Sequence, residues 1–163
     1  MNILGISCHY HESAATLLRD GKIIAAVAEE RLTRKKHDPS FPGRAIDYCL
    51  SEAHCAARDI DFVAFYEKPL VKFERNITMS MAWFPRSLGF FVDAMKNSFA
   101  RQLWVRSAII DKLDIPARRI LFVPQHLSHA AAAYYPSPFD RSAYLTLDAV
   151  GEWTTGSWVL QEG

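Results

Sequence analysis

The sequence predicts an α/β layer protein, and three observations carry that prediction. Short apolar runs of strand length, several of them β-branched, recur along the chain. Segments whose apolar residues repeat at helical spacing follow them. An Asp-Gly pair near the N-terminus marks a tight hairpin.

The elements follow in order. Asn2 to Ser7 reads as a buried strand, Ala14 to Leu18 as a second and Lys22 to Glu29 as a third. Arg19-Asp20-Gly21 separates the last two, and Gly accepts a positive φ without a Cβ clash, so the opening is a meander. Phe41-Pro42-Gly43 leads into a helix over Arg44 to His54, where Ala45, Tyr48, Cys49 and Ala53 share one face. Asp61 to Tyr66 is a fourth strand. From Val71 to Lys112 the apolar rhythm is helical, and Pro85 is expected to break or kink it. Arg119 to Val123 is a fifth strand, Leu127 to Tyr135 an alanine-rich helix and Ala143 to Asp148 a sixth strand. Gly156 to Gln161 reads as one more strand. A strand so near a terminus needs a neighbour, which raises the expectation of a truncated chain, with a complete small domain as the alternative.

A chain of 163 residues is about one domain long. Half of it is apolar and 23% is charged, enough to build a core and too apolar for disorder. Lys and Arg number 19 against 18 Asp and Glu, so neither nucleic acid nor an anionic membrane is an expected partner. Cys8, Cys49 and Cys55 lack paired-ligand spacing and read as reduced thiols. The start has no signal-peptide pattern and no apolar run is long enough to span a bilayer, so the expected location is the cytoplasm.

Four features carry candidate chemistry. In Gln125-His126-Leu127-Ser128-His129 two imidazoles three residues apart on a helix could share a metal ion; alternatively one caps or packs and the other is exposed. In Asp148-Ala149-Val150-Gly151-Glu152-Trp153-Thr154-Thr155 an acidic strand end precedes a glycine and two hydroxyls. Such a turn suits a phosphate, with Gly151 admitting backbone N–H groups, Thr154 and Thr155 adding donors and Asp148 holding Mg²⁺. An ordinary hairpin has the same look. Arg31 to Lys36 carries four permanent positive charges without interleaved aromatics, which fits a small phosphorylated ligand better than RNA, or a solvated surface. His11, beside Glu12 at the end of the first strand, could serve as an acid, base or hydrogen-bond donor, or be structural.

Together these stretches resemble the O-carbamoyltransferases of nodulation-factor and antibiotic biosynthesis. Tyr10 to Ala15, Glu29 to His37, Phe65 to Leu70, His126 to Ala130 with Tyr135 to Phe139, and Asp148 to Thr155 hold the family's order and spacing from about residue 3 to 160. The resemblance implies the N-terminal half of an actin, sugar-kinase and Hsp70 type (ribonuclease H-like) fold over residues 1–163, a mixed sheet with flanking helices completed by the C-terminal half of its own chain. It also implies kinship with the enzymes that form threonylcarbamoyl on tRNA.

The implied activity uses carbamoyl phosphate and ATP to make a carbamoyl-adenylate. The carbamoyl group then passes to a hydroxyl of a small acceptor, assisted by a histidine-held metal such as iron and by Mg²⁺ with the nucleotide. By this likeness His126 and His129 bind metal, and Asp148, Gly151, Thr154 and Thr155 meet the nucleotide phosphates. His11, Arg31 and Lys36 lie near the reacting groups. Two positions depart from the family. It reads His-His-x-x-His with ligands four apart, and Gln125 stands at the first, leaving His129 matched and His126 as the substitute. Ala149 replaces a glycine after Asp148. A small-molecule kinase of the same fold and a non-catalytic nucleotide- or partner-binding module are the alternatives.

Overall fold

The N-terminal meander forms where the Asp-Gly pair places it. In the computed structural model, which describes residues 1–10, 12–148 and 151–162, β1 (Asn2–Ser7), β2 (Ala14–Arg19) and β3 (Lys22–Ala28) pair antiparallel. Arg19 pairs with Lys22 across a two-residue turn whose residues, Asp20 and Gly21, have φ of 50° and 79°. Two left-handed residues are what the twist of a tight hairpin requires.

The chain continues through α1 (Glu29–Thr33), α2 (Gly43–Glu52), β4 (Phe62–Phe65), α3 (Pro69–Ala82), α4 (Leu88–Ala100) and α5 (Val105–Leu113). Then come β5 (Ile120–Phe122), α6 (Gln125–Tyr134), β6 (Arg141–Leu147) and β7 (Gly156–Glu162). Pro85 falls between α3 and α4, as its missing N–H and ring demand. One expectation changes at Glu29, which ends no strand but opens α1. Its N–H donates to the Ser13 carbonyl at 2.8 Å, while its buried carboxylate accepts from the amides of Arg44 at 3.2 Å and Ala45 at 2.7 Å. It thereby serves the N-terminus of α2, whose first N–H groups have no partner within the helix.

The chain divides into two compact units, one of Met1–Phe65 with Phe99–Phe122, the other of Tyr66–Ser98 with Val123 onward. The first holds a five-stranded sheet in the order β3-β2-β1-β4-β5, antiparallel through β1 and parallel from β1 to β4 to β5. This is the expected α/β mixed sheet with flanking helices. Leu4, Ile6, Leu17, Val63 and Phe65 are fully buried with Ile46 and Cys49 of α2, which packs on β2 and β3. On α5, Val105, Ile109 and Leu113 recur four apart and are buried.

The second unit has an unusual polarity. Helix α3 buries Lys72, Asn76 and Ser80, a polar stripe at four-residue spacing, and leaves Leu70 and Met81 exposed. Lys72 Nζ lies 2.8 Å from the buried Glu67 carboxylate, and two charges out of water need such pairing. The β6–β7 hairpin, against which α6 packs, likewise turns Thr146 inward and the cross-strand pair Leu145 and Trp158 outward. Among the described residues no helix is long and apolar enough to cross a membrane.

Candidate functional site

Of the sequence-predicted residues, Arg31 and Lys36 lie in the first unit, and the histidines and the Asp148–Thr155 turn in the second. His11, Ala149 and Val150 lie outside the described residues.

In the first unit the cations of the basic run are exposed to solvent. Glu29 opens α1 and Arg34 closes it in the left-handed region, φ 61°, with its N–H on the Glu30 carbonyl at 2.9 Å. The chain then turns back, and His37 N–H donates to the Glu30 carboxylate at 2.9 Å. Arg31, Arg34 and Lys36 line one open cleft of about 450 Å³ with Glu30. Three cations around one acidic side chain favour an anion of phosphate size. His37 Nδ1 sits 2.8 Å from Glu12, next to the candidate His11.

His9, two residues before His11, is held at φ 69° with its Nδ1 buried and without a partner among the described residues. Burial lowers its imidazole pKa below the ordinary value, and the Arg101 guanidinium lowers it further against a hydrogen bond to the Pro39 carbonyl. The unfolded chain therefore binds a proton here that the folded chain resists. The resulting stability is complete above about pH 6.5 and is lost as pH falls through that value towards the folded pKa. His9→Asn, which tolerates the same backbone, is expected to flatten the fall in thermal midpoint between about pH 7 and 5. An unchanged pH slope in that variant would refute the assignment.

In the second unit α6 begins at Gln125, two residues before the expected Leu127, so the residues four apart, Gln125 and His129, share a face. Both reach Asp148. Gln125 Nε2 donates to its carboxylate, and His129 Nε2 lies 3.5 Å from the same oxygen. His126 turns elsewhere, its ring centroid 6.5 Å from that of His129 and nearly perpendicular to it. Its Nδ1 is 2.6 Å from the Thr146 hydroxyl and its Nε2 is 2.7 Å from the Thr154 carbonyl. To ligate a metal, His126 would have to give up one of these bonds.

Among the described residues no three His, Cys, Asp or Glu side chains cluster as a metal site. The donors that converge are His129, Asp148 and the Gln125 amide, whose Oε1 is buried without a partner among the described residues. An amide drawn with its N–H₂ on the carboxylate is one of two orientations. Flipped, Gln125 would present an oxygen beside a carboxylate and an imidazole, a donor set that suits a divalent ion and needs one to bridge its negative ends.

The turn after β6 is pinned at several points. Asp148 N–H donates to the Thr155 carbonyl at 2.8 Å, Arg75 Nη1 to the Gly151 carbonyl, and Lys68 N–H to the Glu152 carboxylate at 2.6 Å. Gly151 is required for close approach. A Cβ there would press into the Thr154 carbonyl and lie 3.1 Å from His126 Nε2. Thr154 and Thr155 are exposed. Reading the sequence alone missed Arg75, Lys68 and Thr146. The first two flank the polar face of α3, and no motif marks them as partners of a turn so far along the chain.

The Carbamoyltransferase N-terminus family model matches residues 2–163. The uncharacterized protein sll1178 of Synechocystis is 48% identical over 96% of this chain and 26% of its own length. The nodulation protein NolNO of Sinorhizobium fredii is 35% identical over 94% of this chain and 22% of its own. Among solved structures, YeaZ from Pseudomonas aeruginosa aligns with a TM-score of 0.43 at 14% identity, over 98% of this chain and 67% of that one. The chain thus spans about a quarter of the length of these curated relatives. On the family match over nearly every residue, this chain belongs to the carbamoyltransferase family, whose N-terminal region it represents.

Proposed function

We propose that the full-length protein forms a carbamoyl-adenylate from carbamoyl phosphate and ATP in the cytoplasm and passes the carbamoyl group to a hydroxyl of a small acceptor. The observation that carries this reading is the convergence of Gln125, His129 and Asp148 at the foot of a turn with a required glycine. Water first splits carbamoyl phosphate into carbamate and inorganic phosphate, a carbamate oxygen then displaces pyrophosphate from ATP, transfer to the hydroxyl releases AMP, and each step builds charge on oxygen. A divalent metal such as iron, held by His129, Asp148 and the Gln125 amide oxygen, would stabilise that charge as a Lewis acid. Gly151, Thr154 and Thr155 would meet the nucleotide phosphates, with Mg²⁺ accompanying the nucleotide. Arg31 and Lys36, with His11 nearby in sequence, would hold the carbamoyl or phosphate group. In this reading Asp148 serves the metal, and the remaining ligands and the acceptor pocket come from the rest of a longer polypeptide.

The test is isotope exchange. The full-length protein with carbamoyl phosphate should move labelled pyrophosphate into ATP, and omitting carbamoyl phosphate should abolish the exchange. Phosphoryl transfer to a hydroxyl acceptor without exchange would mark a kinase instead. Absence of both ATP and metal binding would mark a non-catalytic module.

A further inference from the structure

The sequence pairs His126 with His129 as metal ligands, but the hydrogen bonds around its ring give it a different task. The Thr154 carbonyl can only accept, so Nε2 must carry the proton. In the neutral ring Nδ1 then has only its lone pair, which takes the Thr146 hydroxyl proton at 2.6 Å. Ser157 Oγ, 2.5 Å from that hydroxyl and 3.3 Å from Nδ1, closes the group. Both nitrogens are spent, and the ring ties α6 to the turn end of the β6–β7 hairpin.

The consequence for the turn follows from covalent geometry. In a trans peptide the C=O of one residue and the N–H of the next point in opposite directions. His126 draws the Thr154 carbonyl towards the protein, which sends the Thr155 N–H the other way. Arg75 draws the Gly151 carbonyl inward and so sends out the Glu152 N–H. Neither amide meets an acceptor among the described residues. The space a Cβ on Gly151 would need is filled by the Thr154 carbonyl and the His126 ring, so glycine, imidazole and carbonyl form one packed unit.

We propose that His126 is a positioning residue whose Nε2–H, donated to Thr154, holds the turn with the Glu152 and Thr155 amides facing an anionic phosphate group of the ligand. The proposal rests on the nucleotide reading of this turn above. Aligned backbone amides form the kind of concavity that binds phosphate oxygens.

The experiment uses the full-length protein with ATP and inorganic pyrophosphate as probes. His126→Ala should weaken pyrophosphate binding and raise the KM for ATP about tenfold, the scale of one hydrogen bond lost, with a smaller change in kcat. Its metal content should equal that of wild type, whereas His129→Ala should lose metal. His126→Gln, whose amide nitrogen reaches the place of Nε2, should recover most of the loss. His126→Asn, which reaches only the Thr146 side, should not; it stands in for the alanine variant should that fail to fold. The proposal is overturned if glutamine does no better than alanine or asparagine, if affinity is unchanged, if metal departs with His126, or if wild type lacks affinity for pyrophosphate. Carbamoyl transfer that is absent in wild type while pyrophosphate binding still follows residue 126 would end the enzymatic reading and leave this one standing. Transfer that persists with binding indifferent to residue 126 would do the reverse.

Discussion

Asp148→Asn in the full-length protein is expected to cut carbamoyl transfer on the order of a hundredfold to a thousandfold and to lower bound metal in proportion. The substitution keeps the shape of the side chain and removes its charge. That carboxylate is where Gln125 and His129 meet, at the end of β6 and the head of the pinned turn. An amide in its place is a weaker ligand and leaves a metal with one imidazole and two neutral oxygens. The reverse change supplies the control. Gln125→His creates imidazoles four apart on α6 and should raise metal affinity about tenfold or more. Metal analysis after gel filtration reads both effects. Full metal retention in Asp148→Asn, with activity intact, would remove Asp148 from the site.

Glu29→Ala is expected to carry the largest stability cost, about 2–4 kcal/mol, because it strips two helix-terminal amides, one buried and one part-buried, of the carboxylate that accepts from them. For a chain of this length that amounts to a thermal midpoint lower by about 8 °C. Glu29→Gln keeps one oxygen and should lose about half as much. The effect reaches the basic cleft as well, since Glu29 is the first residue of α1, which carries Arg31. Calorimetric unfolding of the two variants checks the order; equal midpoints for all three proteins would refute the capping role.

Much of the fold was legible in the sequence because local chemistry decides it. Asp20-Gly21 sets the first hairpin, Pro85 divides α3 from α4, and the alternation around Leu4, Ile6 and Val63 marks the buried strands. What escaped the sequence depends on partners distant along the chain. Glu29 looks like the end of a strand until the α2 amides are seen beside it. Helix α3 cannot be oriented from hydrophobicity, since the side chains it buries are Lys72, Asn76 and Ser80. The division into two units is likewise unreadable, because each is assembled from separated segments. For the site, motif spacing pairs His126 with His129, whereas in the structure Gln125 and His129 meet at Asp148. With α6 starting at Gln125 rather than Leu127, Gln125 lies one turn before His129, and the His126 ring turns away from it.

The parallel pairing of β4 with β5 also sets an order of events during synthesis. All of α3, α4 and α5 lies between those strands, so β4 emerges with one side bare until a long stretch of chain has been made. The three-stranded meander closes over near neighbours and can form at once, whereas the fifth strand must wait and pays the entropy of a long loop. The first unit is thus born in two instalments, with its sheet finished from the far side of an insertion that belongs to the other.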